Sequence, residues 1–263
     1  MELTKLYNLE NGITRVAGLM SRKGTILTKI IEHERRLEAQ NGRSPYKVVA
    51  IFSDNLKSNA VDIGIKFSIP VIVRDIDAFY KEKNRPKSDL IIRKEFDEET
   101  VRVLKPYKIN MAAFAGYMSI ATDPLINSFF GVNVHPADLR IMDGEKRKYT
   151  GFHALRDSIV AGEKELRATT HIIEPEVDNG KILMISSPLK VEIPSNFGNY
   201  DSGAKAILIN RIAEEHQQRL KEIGDWVIFP RTLEYIADGR YSKDEQGKLY
   251  FDGKAIPNGL ILD

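Results

Sequence analysis

The sequence predicts an α/β fold organised around a parallel sheet, and two observations predict it. Between residues 13 and 186, short apolar runs of buried-strand type alternate with amphipathic helical segments, the pattern that sets strands side by side with helices as crossovers. A length of 263 residues with 42% hydrophobic content supplies the core for one large domain of this class or two small ones.

The elements follow in order. After a polar opening closed by Asn11-Gly12, residues 13–20 read as the first strand and residues 25–39 as an amphipathic helix. Residues 47–52 are the next buried-type strand, residues 58–67 a helix, and residues 70–73 a short third strand. Residues 95–105 carry helical spacing, 110–115 a strand ending at Gly116, and 130–135 another. Residues 151–162 look helical, and 167–173 and 181–186 look like strands. Residues 187–202, rich in Pro, Gly, Ser and Asn, predict loop. A long polar helix over 203–223 follows, then a helix over 230–237, and a hairpin tail with turns at Gln246-Gly247 and Asp252-Gly253. No internal repeat or low-complexity tract interrupts this order.

Composition narrows the function classes. The formal charge of +2 comes from 39 basic and 37 acidic residues, mostly interleaved, which argues against a nucleic-acid or membrane-binding field. No stretch approaches the roughly 20 apolar residues of a membrane span. Cysteine is absent, so there is no disulfide framework, thiolate nucleophile or Cys-ligated metal. The charged start, Met1 to Lys5, lacks the apolar core of a signal peptide, and cytoplasm is the expected compartment. Neither a His/Asp metal cluster nor a Walker-type lysine loop is visible, and no metal is expected.

The chemistry-bearing residues sit at strand ends. Asn133-Val134-His135 closes one apolar run, and Val177-Asp178-Asn179-Gly180 follows another. An amide, an imidazole and a carboxylate on adjacent segments can hold a carbonyl oxygen, donate to it as it becomes an oxyanion, and move a proton. Each also has an ordinary structural explanation: Asn133 as a turn cap, His135 as a satisfied strand residue, Asp178 as a turn acid. The loop Ser21-Arg22-Lys23-Gly24-Thr25-Ile26-Leu27 opens the first helix, where backbone N–H groups suit an anion. The competing reading is a strand-to-helix turn capped by Thr25. His171 lies inside an apolar strand pattern and reads as structural, while His33 and His216 sit in charged helical segments and His153 opens a helix.

Taken together these residues resemble the folate-dependent formyltransferases, and within them the branch that formylates glycinamide ribonucleotide. The resemblance runs from about residue 14 to 259. It rests on Asn133-Val134-His135-Pro136 and Asp178-Asn179-Gly180, which match the family's Asn-x-His-Pro and Asp-x-Gly elements. Phe114 to Ile120 looks like the family's Ala-Gly-aromatic-Met segment, and Ser21 to Leu27 falls in register with its phosphate loop. In the tail, Asp225-Trp226-Val227-Ile228-Phe229-Pro230, Ala237-Asp238-Gly239-Arg240 and Asp252-Gly253 are similar to the end of that branch.

The resemblance implies a Rossmann-like, doubly wound, mostly parallel sheet, with a core over 1–186 and a C-terminal extension over 187–263 packed on the same domain. It implies Asn133, His135 and Asp178 as the catalytic three, with Asn133 and a protonated His135 stabilising the oxyanion and Asp178 orienting or charging His135. It implies a folate slot from Tyr117, Met118, Ser119, Ile120, Ala121, Ile173 and Val177, with 10-formyltetrahydrofolate as co-substrate. Arg22, Lys23, Gly24, Thr25, Ile26 and Asp225 would meet the acceptor, a small and phosphorylated amine in purine biosynthesis. A homodimer stays open, as do hydrolysis of the formyl donor, sugar-nucleotide N-formylation and binding without catalysis. Three differences from the family bear on the acceptor. Ile26 stands in place of Asn behind a basic Arg22-Lys23; residues 142–149 add a charged stretch after the histidine; and 187–223 is longer, with Asp225 in place of a glutamate.

Overall fold

A computed structural model of the protein describes residues 2–7, 12–199 and 201–262; Asn11 of the expected first turn and Tyr200 of the expected loop lie outside them. Eight strands make one mixed, mostly parallel sheet: β1 (Thr14–Met20), β2 (Tyr46–Ser53), β3 (Val71–Val73), β4 (Met111–Phe114), β5 (Phe130–His135), β6 (Thr169–Ile172), β7 (Ile182–Ile185) and β8 (Leu260–Ile261). Their spatial order is β8-β7-β6-β5-β4-β1-β2-β3. Strands β3, β2, β1, β4 and β5 run parallel, β6 is antiparallel to both neighbours, and β8 is parallel to β7. The chain leaves β1 toward β2 and β3, then returns to β4 on the other flank. That reversal opens a crevice at the carboxyl ends of β1 and β4.

The helices are α1 (Thr25–Asn41), α2 (Ala60–Phe67), α3 (Ile76–Glu82), α4 (Leu90–Leu104), α5 (Asp123–Ser128), α6 (Ala154–Val160), α7 (Ser202–Leu220) and α8 (Trp226–Ala237). Alternation along the strands divides two cores: Met111 and Ala113 of β4 join the side packed with α1 and α8, while Ala112 and Phe114 join the side packed with α4. This is the two-residue period of a sheet covered on both faces.

Several elements depart from the sequence reading. Helix α4 begins at Leu90, earlier than the expected residue 95, because the Asp89 side chain accepts from Ile91 N and Ile92 N. Helix α3, which the reading omitted, is capped the same way by Asp75. Helix α8 starts at Trp226 rather than at 230 and runs on from α7 through a π-helical turn, Lys221–Asp225, with Pro230 inside the helix. Pro230 removes the N–H that would bond back to Trp226, one turn after the π-helical turn has already broken the regular ladder. The polar opening supplies a strand, Thr4–Lys5, paired with Tyr241–Lys243. The tail hairpins form, and the chain then returns to the central sheet as β8.

Candidate active site

The site begins with strand register. Pairing of β5 with β6 sets Asn133 opposite His171 and His135 opposite Thr169, so Asn133, His135 and His171 share one sheet face by the period of two. Asp178 reaches that face from the turn between β6 and β7, where it holds a left-handed φ of 55°. Gly180 closes the turn: a Cβ there would lie 1.8 Å from the Ile172 carbonyl oxygen. No larger residue can seat the turn so tightly on β6.

Around Asp178 the polar groups are paired. His135 Nδ1 lies 3.3 Å from Asp178 Oδ2, and His171 Nε2 lies 3.5 Å from Oδ1. Gly151 N–H donates to Asp178 Oδ2 at 2.8 Å. The far nitrogen of each imidazole meets a backbone carbonyl, His135 Nε2 at 3.0 Å from Tyr149 O and His171 Nδ1 at 2.9 Å from Ile172 O. A carbonyl only accepts, so those nitrogens carry protons, and in His135 the nitrogen left facing Asp178 is Nδ1. Asn133 Nδ2 lies 3.2 Å from His171 Nε2, joining the amide to the same chain.

Charge follows from these contacts. Burial would raise the Asp178 pKa, but the His171 hydrogen bond, the His135 charge and the Gly151 N–H together hold it at about 2. The carboxylate is therefore ionised at neutral pH. Burial lowers the His135 pKa, opposed by the adjacent carboxylate. The ring can therefore serve in either state, as a base through Nδ1 when neutral and as a cation paired with Asp178 when protonated.

At the carboxyl ends of the parallel strands lies a cavity of about 450 Å³ whose walls include Arg22, Asp54, Arg93, Met118, Ser119 and Ile120, and its link to the Asp178 cluster is Phe152, next in the chain to Gly151. Met118 N–H donates to Ser21 Oγ at 2.8 Å, which fastens the segment after β4 to the end of β1. Arg93 donates from NH2 to Asp97 Oδ1 and to the Tyr117 hydroxyl, both at 2.7 Å. Its Nε and NH1 are buried without partners, as is Asp54 Oδ1. Buried polar atoms without partners are costly, and these belong to two residues of the cavity wall.

Asn133, His135 and Asp178 thus meet, and Arg22, Met118, Ser119 and Ile120 share one cavity. Tyr117 is buried behind it and Ala121 is half-buried; Ile173 packs against Gly131, and Val177 is exposed on the Asp178 turn. Lys23 and Thr25 are exposed at the start of α1, whose N-cap, Gly24, makes no side-chain cap and whose first turn holds no acid. Gly24 is explained without a ligand, since its φ is +64° and a Cβ would strike Ile63 and Met20. Ile26 points into the core. Asp225 is sealed at 3% exposure with Oδ1 unpartnered.

Sequence reasoning missed His171, Arg93, Asp54 and the 147–151 segment. The spacing Arg93-x-x-x-Asp97 inside an apolar helical stretch was an available signal of a buried ion pair. His171 had none, because its role depends on which strand lies beside β5.

With that geometry in place, comparison gives the class. Residues 14–195 match the formyl transferase family, and the chain belongs to that family. It is 26% identical over 245 residues to the phosphoribosylglycinamide formyltransferase of Haemophilus influenzae, covering 92% of this chain and 96% of that one. To the human trifunctional purine biosynthetic protein adenosine-3 it is 24% identical over 249 residues, but it spans only 21% of that longer protein. In fold it is similar to the phosphoribosylglycinamide formyltransferase of Coxiella burnetii, with a TM-score of 0.66 at 19% identity over 96% of this chain and 100% of that one. The glycinamide ribonucleotide transformylase 1 of Symbiobacterium toebii gives 0.64 at 22% identity over 94% and 99%. Among the described residues, no helix is long and apolar enough to cross a membrane.

Proposed function

We propose that the protein transfers a formyl group from 10-formyltetrahydrofolate to a primary amine, and that the amine is a phosphorylated one of the glycinamide ribonucleotide type, serving purine biosynthesis. The observation that carries this reading is the Asp178 carboxylate held between His135 and His171, with Asn133 joined to the same chain of hydrogen bonds. As the amine attacks the formyl carbon, the carbonyl oxygen gains negative charge, and the Asn133 amide is the donor placed to stabilise it. The amine must lose a proton. His135 Nδ1, neutral and facing an ionised carboxylate, receives it, and Asp178 stabilises the resulting imidazolium. The same proton then leaves with N10 of the donor as the C–N bond breaks.

Donor and acceptor would share the cavity at the carboxyl ends of β1 and β4. Met118, Ser119 and Ile120 line its partly apolar part, which suits a flat heterocycle, and the slot would extend to Ala121, Ile173 and Val177. The uncapped first turn of α1, with Arg22 and Lys23 beside it, offers backbone N–H groups and positive charge to a phosphate.

The test is consumption of the formyl donor, measured with a panel of phosphorylated and unphosphorylated amines and with none. The proposal expects turnover only with an amine, fastest with glycinamide ribonucleotide. Turnover without an amine would mean a hydrolase, preference for an amino sugar nucleotide would move the acceptor, and donor binding without turnover would mean a binding protein.

A further inference from the structure

The stretch after His135 carries an inserted hairpin, Met142–Asp143 paired with Lys146–Arg147 about a turn at Gly144. From it the chain runs through residues 147–151, and alternate residues each meet the reacting centre. Arg147 donates from NH1 to the Asp178 carbonyl and from NH2 to the Gly180 carbonyl, the latter at 2.9 Å. The Tyr149 carbonyl accepts from His135 Nε2, and Gly151 N–H donates to Asp178 Oδ2. Tyr149 is itself anchored, buried with Ala137 and Ala154 and bonded through its hydroxyl to Glu163 at 2.7 Å.

The Asp178 turn needs such a hold. Its Gly180 end is fixed by close seating on the Ile172 carbonyl. Its Asp178 end sits at a φ of 55°, a conformation that costs an L residue roughly 1–2 kcal/mol. A planar guanidinium that bridges both carbonyls spans the turn, and a lysine ammonium, a point charge on a flexible stem, does not replace it.

We propose that Arg147 is a positioning residue: by clasping the carbonyls on either side of Asn179 it fixes the Asp178 carboxylate against His135 and Gly151. Its kinetic consequence rests on the formyl-transfer reading above; its structural consequence does not. The inserted hairpin is then part of the machinery of the site rather than a surface elaboration.

The experiment compares wild type with Arg147→Ala and Arg147→Lys by amide hydrogen exchange and by kinetics. At Gly151, whose N–H is bonded to the Asp178 carboxylate, exchange should accelerate by about tenfold or more in both variants, while exchange along β5 stays unchanged. With 10-formyltetrahydrofolate and glycinamide ribonucleotide, kcat should fall by about 10- to 100-fold, as expected for a misplaced reacting group, with the donor KM moving less than about threefold. Guanidinium chloride should restore part of kcat to Arg147→Ala where equal potassium chloride does not. Unchanged Gly151 exchange overturns the proposal, as does unchanged kcat when the wild type transfers formyl. A wild type that consumes no formyl donor ends the functional reading instead, and Gly151 exchange then decides the role of Arg147 alone. Should Arg147→Ala not fold, Arg147→Lys carries both measurements.

Discussion

Two buried aspartates face opposite circumstances in this molecule. Asp178, 8% exposed, sits in a turn where two imidazoles and a backbone N–H address its oxygens, and its pKa is held at about 2. Asp225, 3% exposed, ends the π-helical turn before α8 with Oδ1 unpartnered. Burial pushes its pKa up to about 7, offset only in part by the charge of Lys221. Both carboxyls are buried, Asp225 more completely, and the partners that Asp178 has and Asp225 lacks separate the one that is charged at neutral pH from the one that is not fully so.

The largest expected effect tests the unpartnered member. A folded-state pKa above the unfolded value means that Asp225 favours the fold fully only below the ordinary 3.8, and that this contribution is lost as pH rises toward 7. The gap corresponds to roughly 4 kcal/mol above pH 7, as an upper estimate. Asp225→Asn should therefore raise stability in denaturant titrations at pH 8 by a few kcal/mol, with the gain shrinking toward zero at pH 4. A gain independent of pH would break the contrast between the two aspartates.

Asp178→Asn keeps the shape and removes the charge. It should lower kcat by about 10²-fold or more while donor affinity persists, because the protonated His135 loses its counter-charge. Steady-state kinetics beside donor titration would check this. The acid limb gives the next effect. A depressed pKa contributes stability that is present above 3.8 and lost as pH falls through about 2, worth roughly 2 kcal/mol. Wild type should lose this share between pH 4 and 2, and Asp178→Asn, followed by the same acid titration, should not. The smallest effect concerns the first turn of α1. Arg22→Ala and Lys23→Ala should each raise the KM of a phosphorylated acceptor by several-fold, about 1 kcal/mol, and Lys23→Ala, outside the cavity that Arg22 shares with Met118, should leave the donor KM in place.

Much of this was legible in the chain. Strands β1, β2, β4 and β5 lie close to where apolar runs placed them, because buried parallel strands are continuous apolar stretches. Asn133, His135 and Asp178 were visible as polar residues at strand ends, and the fold brings them together. What the chain hid depends on tertiary pairing. His171 looked like a core residue until β6 was seen to pair antiparallel with β5 and set it opposite Asn133. Arg147 looked like one more charge in a polar insertion, since its partners are backbone carbonyls 31 and 33 residues away. The early start of α8 was masked by Pro230, which marks a helix boundary in sequence but sits inside this helix after a π-helical turn.

The central claim is that the Asn133, His135 and Asp178 cluster passes a formyl group to an amine. Following a labelled formyl carbon from 10-formyltetrahydrofolate in the presence of glycinamide ribonucleotide tests it most directly, with wild type and His135→Ala compared at equal folded concentration. The account predicts label on the amine nitrogen as a formamide with wild type, and transfer reduced by about 10²-fold or more with His135→Ala. Label recovered as free formate, or transfer that survives undiminished in His135→Ala, would contradict it.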